Sequence, residues 1–191
     1  MYWGEKDTSV FFCEEAYINS NYIAEYYNFL SSFFILFVGM YFINTNIKYI
    51  ALSGVGVGIG SLILHGMQLH IGQQIDEISM LSLCCLSLAR IEKNKWWCTL
   101  LKPVVLLYLL FSKYYAVFLV IYGCIQTYVI IKMWRYNLYS KMGVIVFIIG
   151  LVSWILDQTI CVYVVQYQLH AIWHICTSLT MFFGFKMLKD I

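Results

Sequence analysis

The sequence predicts an all-α membrane protein, a bundle of seven transmembrane helices with its N-terminus lumenal or outside and its C-terminus cytoplasmic. Three observations predict it. The chain of 191 residues is 62% hydrophobic and 12% charged, about half the charge a soluble domain uses to cover its surface. Its apolar residues fall into seven runs of membrane-crossing length. Lys and Arg collect in alternate connections between those runs.

The runs lie at roughly 28–44, 48–65, 72–90, 97–112, 114–132, 142–161 and 169–188, each about 16–20 residues, near what a helix needs to cross a ~30 Å hydrocarbon core. Within lipid only a helix or a closed barrel satisfies its own backbone. None of the runs alternates polar and apolar residues as a barrel strand would. Short connections make neighbouring helices antiparallel, and little more than Ser112-Lys113 parts the fourth run from the fifth. Pro103, the only proline, falls in the fourth run and predicts a kink or a place in its first turn. The chain divides into a lumenal N-terminal segment over 1–27 and one helical domain over 28–191. Met1 to Asn21 carries Glu5, Asp7, Glu14 and Glu15 without a basic start before an apolar core, so it does not read as a cleavable signal peptide.

Charge sets the orientation. With the N-terminus outside, the inner face receives Lys48, Arg90, Lys93, Lys95, Lys132, Arg135, Lys141, Lys186 and Lys189, while the outer face keeps Lys6 and Lys113. Lys102 can snorkel inward from the fourth helix. Trp96, Trp97 and Trp134 fall near the cytoplasmic ends, as an aromatic belt would. The net charge of +2 and the scatter of basic residues point to no nucleic-acid partner.

The same topology gathers the rare polar residues at one level. His65 ends the second helix, Asp76 begins the third, Asp157 lies near the end of the sixth, and His170 and His174 begin the seventh. Ionisable side chains at membrane depth are costly and so mark function. His170-Ala171-Ile172-Trp173-His174 places two imidazoles on one helical face, about 6 Å apart along the axis. With His65 they make three neutral ligands for zinc and leave a fourth position open. Such an ion lowers the pKa of a water and polarises a carbonyl, the two tasks of amide hydrolysis. Asp76 is placed to move the proton, and Ser61, one turn before His65, to bond the developing oxyanion. His70 reads as a packed loop histidine.

Gly54, Gly56, Gly58 and Gly60 resemble a phosphate loop only superficially, because no Gly-Lys-[Ser/Thr] follows; they form two GxxxG spacings for close helix packing. The seven cysteines make no metal pattern. Cys84, Cys85 and Cys124 lie in apolar runs as small hydrophobes. Cys13 and Cys161 share the lumenal side and can pair in an oxidising compartment.

Taken together, Tyr2-Trp3-Gly4, Cys13-Glu14-Glu15, Tyr22-Ile23-Ala24-Glu25, Gly60-Ser61 with His65, Asp76-Glu77, Trp154 with Asp157 and Cys161, and His170-Ala171 with Trp173-His174 resemble the alkaline ceramidases. Those enzymes belong to a wider group of seven-helix, metal-dependent membrane hydrolases that includes the progestin and adiponectin receptors. The resemblance implies hydrolysis of the N-acyl bond of ceramide, releasing a sphingoid base and a fatty acid, in the endoplasmic reticulum or Golgi membrane. It implies His65, His170 and His174 as zinc ligands, Ser61 and Asp76 as catalytic partners, and Cys13–Cys161 as a lumenal disulfide. It further implies a calcium ion held by the segment before the first helix. Glu14 and Glu25 match two of its ligands, but Phe11 and Ala16 stand where the family has an aspartate and an asparagine, which weakens the site. A lipid-binding receptor or regulatory relative with little turnover is the rival reading, and the intact histidine, aspartate and serine set argues against it. A transporter would need inverted repeats or broken helix pairs, which are not seen.

Overall fold

The computed structural model describes residues 2–191, and among them every regular element is helical. In chain order these are α1 (Tyr26–Phe42), α2 (Lys48–Met67), α3 (His70–Ile91), α4 (Trp96–Leu110), α5 (Tyr115–Met133) and α6 (Leu138–Thr159). A single turn, α7 (Cys161–Val164), and a 3-10 turn (Val165–Tyr167) then lead into α8 (Leu169–Asp190). Four helices, α2, α5, α6 and α8, are long and apolar enough to cross a membrane, and α1 and α4 are shorter apolar helices. Large apolar side chains such as Phe37, Leu110, Val120 and Ile149 lie exposed on the outside of the bundle. A helix apolar on every side is one whose outer face meets lipid.

The seven apolar runs coincide with the seven long helices, with differences at the ends that have local causes. The helix of the sixth run starts at Leu138 because the Asn137 side chain accepts a hydrogen bond from the Ser140 amide at 3.1 Å, an N-cap. Cys161 falls outside it and starts its own turn. The third helix starts at His70 rather than near residue 72, since Asp7 Oδ1 accepts the His70 amide at 2.5 Å. His70 is therefore not a loop residue, and Asp76 sits in the second turn rather than opening the helix. Pro103 lies inside α4, past its first turn.

Helix α2 packs between α1 and α3, α8 packs between α1 and α6, and α3 carries α4 and α5; α5 and α6 touch only lightly. The GxxxG spacings do what small residues do in membranes, letting backbones approach. A Cβ on Gly58 would lie 2.6 Å from the Leu36 Cα of α1, and one on Gly60 would lie 2.5 Å from the Asp76 Cα of α3. Backbone cannot yield there, so Gly60 fixes how closely Asp76 sits to α2. At the opposite end of the bundle Glu92, after α3, ties three elements together. It accepts from Trp97 Nε1 at 2.8 Å and from the Tyr128 hydroxyl at 2.6 Å, and pairs with Lys132 at 2.6 Å. The Lys132 contact first, then Tyr128 and Trp97, holds its carboxyl down at about 2.

Two outcomes follow. Gly60→Ala forces α2 from α3 and is expected to lower the thermal unfolding midpoint in detergent by several degrees, the overpacking cost being about 1–3 kcal/mol. A midpoint equal to wild type would show that the helices are free to part. Glu92 has a folded pKa below its unfolded value, so its stabilisation is present above about 4.5 and lost as pH falls toward about 2. Unfolding midpoints of Glu92→Gln and wild type should thus differ at pH 7 and converge near pH 2.

Candidate metal centre

The end of one helix and the start of another meet at this site. The last turn of α2 presents His65, and the first two turns of α8 present His170 and His174. The side chains are 1%, 4% and 3% exposed. Their ligating atoms lie within 4.8 Å of one another, the only such group of three or more His, Cys, Asp or Glu among the described residues. Ring centroids are 4.6 to 5.1 Å apart. The i, i+4 spacing read from the sequence produces the α8 pair, and the α1–α2–α8 packing delivers the third ring.

The partners of two rings settle which nitrogen is available. His65 Nδ1 lies 2.5 Å from Glu25 Oε2, and His174 Nδ1 lies 3.1 Å from the Asn28 carbonyl oxygen and 2.8 Å from Ser31 Oγ. A carboxylate and a carbonyl only accept, so each Nδ1 carries its proton and donates. That leaves the Nε2 lone pair of both rings for a ligand, the tautomer a metal requires. His170 Nδ1 is buried without a hydrogen bond. Phe12 packs over both His170 and His65, with centroids 3.9 and 4.9 Å away, and closes the centre from the N-terminal side. Three buried imidazoles, two of them held from behind by a second partner, are a donor set that fits zinc.

Asp76 and Ser61 come to the same place. Asp76 lines a cavity of about 330 Å³ together with His65, His170 and His174. A narrower one of about 90 Å³, bordered by Ser61, Asp76 and His174, continues along α8 and α3 to Leu188 and Ile91. The Oδ1 of Asp76 is buried and has no hydrogen-bond partner. Ser61 Oγ is 2.8 Å from Ser32 Oγ, and Ser32 donates to the Asn28 carbonyl at 2.7 Å. The Ser61 hydroxyl is therefore the donor in that pair and is tied to α1.

The other sequence candidates lie around this centre. Cys13 and Cys161 form a disulfide with their Cα atoms 5.3 Å apart. Beside it Asp157 Oδ2 accepts the Cys13 amide at 3.2 Å. Glu14 caps α1, accepting the amides of Tyr27 and Asn28 at 2.7 and 2.9 Å. Glu25 turns to His65 and to Gln68 Nε2, 2.7 Å away. His70, 8% exposed, places Nε2 3.1 Å from the Ser112 hydroxyl, away from the three histidines.

Sequence comparison places this geometry. The profile of the family described as Ceramidase matches residues 4–190. The chain belongs to the ceramidase family. It is 28% identical to the alkaline-ceramidase-type protein dcd3B of Dictyostelium discoideum, over 95% of this chain and 86% of that one. It is 24% identical to the alkaline ceramidase of Arabidopsis thaliana and 25% identical to alkaline ceramidase 3 of Mus musculus, each over 93% of this chain and 81% of the relative. The family makes the chain a hydrolase, and its four apolar helices of crossing length make it a membrane protein.

Sequence reasoning missed Asn28, Ser31 and Ser32 as supports of His174, and Phe12 as the cover. The signal for the first three was present: polar residues at i, i+3 and i+4 make one face of an otherwise apolar helix. For Phe12, in an irregular segment, the sequence held no comparable signal.

Purified wild-type protein is expected to carry close to one metal ion per chain and His170→Ala close to none, measured by elemental analysis. Wild-type protein that is metal-free after gentle purification would contradict the centre.

Proposed function

We propose that the protein is a zinc-dependent amide hydrolase that cleaves the N-acyl bond of ceramide, with His65, His170 and His174 holding the ion. The observation that carries this reading is three buried imidazoles and the unpartnered carboxyl oxygen of Asp76 on the wall of a single apolar cavity, with Glu77 Oε2 a second unpartnered oxygen. Membership of the ceramidase family supports the substrate class. When bound, zinc supplies Lewis-acid polarisation of the carbonyl and a lowered pKa for water.

The chain's own residues supply the rest. Asp76 Oδ1 accepts a proton from the attacking water and returns it to the leaving amine nitrogen as the C–N bond breaks. Ser61 offers its oxygen lone pairs to the cavity, and rotation of its hydroxyl away from Ser32 turns it into a donor to the carbonyl oxygen. Glu25 and the Asn28–Ser31 pair hold the His65 and His174 rings in orientation. From His174 to Leu188 the lining of the smaller cavity follows some 14 residues of α8, about 21 Å at 1.5 Å per residue, the length scale of an extended hydrocarbon chain.

The seven long helices act as seven spans, with the metal centre at the lumenal level and the C-terminus cytoplasmic. The basic residues between runs support that orientation. A pairable Cys13 and Cys161 fits the lumen of the endoplasmic reticulum or Golgi.

Asp76→Asn keeps the shape and loses the base. It should retain zinc while the release of fatty acid from ceramide falls about 10²–10⁴-fold. Near-normal turnover would remove Asp76 from the proton path, and release from other N-acyl lipids but never from ceramide would change the substrate.

A further inference from the structure

The family resemblance implies a calcium ion on Glu14 and Glu25, and the donors in this chain do not fit it. Calcium takes six to eight oxygens at about 2.3–2.6 Å. Both oxygens of Glu14 accept backbone amides, from Tyr27 at 2.7 Å and Asn28 at 2.9 Å. Both oxygens of Glu25 are likewise engaged. Oε1 accepts from Gln68 Nε2 at 2.7 Å, and Oε2 accepts from His65 Nδ1 at 2.5 Å and Asn28 Nδ2 at 3.2 Å.

Phe11 and Ala16, at the two departing positions, bring no side-chain oxygen. Over the Phe11 ring, 4.2 Å from its centroid, lies the Lys6 ammonium, so a resident cation already occupies that neighbourhood. Burial lowers the pKa of Lys6, and the charge of Glu25 raises it in turn, so the two groups sense each other. No three His, Cys, Asp or Glu ligands converge in the N-terminal segment among the described residues. Beside Glu25 the buried side-chain oxygens that lack a partner are Asn28 Oδ1 and Gln68 Oε1, two neutral oxygens where a hard cation takes six to eight.

We propose that this chain holds Glu25 against His65 without calcium, through the amides of Gln68 and Asn28, and that Glu25 is the positioning residue that fixes the His65 tautomer. A carboxylate behind a ligating histidine orients the ring and raises its basicity, and losing such a partner costs about 10–100-fold in metal affinity. The part concerning His65 rests on the zinc reading above; the part concerning calcium does not.

The test uses full-length protein in detergent, desalted into calcium-free buffer. Titration with millimolar calcium should show no saturable binding and leave the thermal unfolding midpoint within ~1 °C, whereas a ligand at ~100 times its Kd raises the midpoint by several degrees. Saturable calcium binding with such a rise overturns the proposal. In parallel, zinc affinity of Glu25→Gln should fall about 10–100-fold, with the zinc-free variant still folded and unfolding cooperatively. Unchanged zinc affinity overturns the positioning role. Wild type that binds no zinc would refute the metal centre instead, and the calcium titration would still read out by itself.

Discussion

A buried imidazole needs a partner for each ring nitrogen, and much of this bundle is arranged to supply them to two of the three. A polar atom left unsatisfied away from water costs about 1–3 kcal/mol. His65 and His174 lie at the ends of different helices, and neither helix carries a partner for its own ring. The partners come from α1 and the residue before it: Glu25 for His65, Asn28 and Ser31 for His174. Helix α1 must therefore lie against both α2 and α8, as it does. The close approach of α1 to α2 at Gly58 permits that contact. Packing and polar satisfaction thus impose the same geometry.

The N-terminal segment belongs to this arrangement and is no loose tail. A helix leaves amides unpaired at its start and carbonyls at its end. Asp7 caps the start of α3 and Glu14 the start of α1, each a carboxylate where the helix dipole favours one. The amides of Ala24 and Glu25 take up the Gly66 and His65 carbonyls at the end of α2, at 3.0 and 2.8 Å. The Cys13–Cys161 link anchors the segment's middle to the turn before α8, and the Asp157 side chain anchors it to the end of α6. Phe12, next to the anchored cysteine, is carried over the histidines as a result.

The sequence was most legible where one element determines the outcome. Seven apolar runs became seven long helices because hydrocarbon leaves the backbone few alternatives. His170 and His174 share a face because helical geometry dictates it. Helix ends were less legible, since Asp7, 63 residues from His70 in sequence, decides where α3 begins. The same limit governed Glu25. Its place before α1 suited an ion in the N-terminal segment, and only the docking of α1 on α2 turns it to His65. Ser61 shows the limit again: its proximity to His65 was evident, but the bond to Ser32 depends on a neighbouring helix.

The remaining unpaired atoms say what kind of molecule the interior suits. Four buried groups without hydrogen bonds, Asp76 Oδ1, Glu77 Oε2, His170 Nδ1 and Thr177 Oγ1, belong to residues that border the two cavities. All four lie in the first three turns of α3 or α8, at the level of the metal centre. Farther along, the smaller cavity is walled mostly by Met133, Met181, Phe185, Leu188 and Ile91, which offer dispersion and apolar contact, with the hydroxyls of Ser87 and Thr180 between them. A wholly apolar guest would leave the upper groups unmet, and a wholly polar one would be misplaced below. A molecule with a polar junction and long hydrocarbon chains meets both requirements. Its junction then sits where the imidazoles and Asp76 are, so the distribution of polarity along the cavity selects which bond is presented to them.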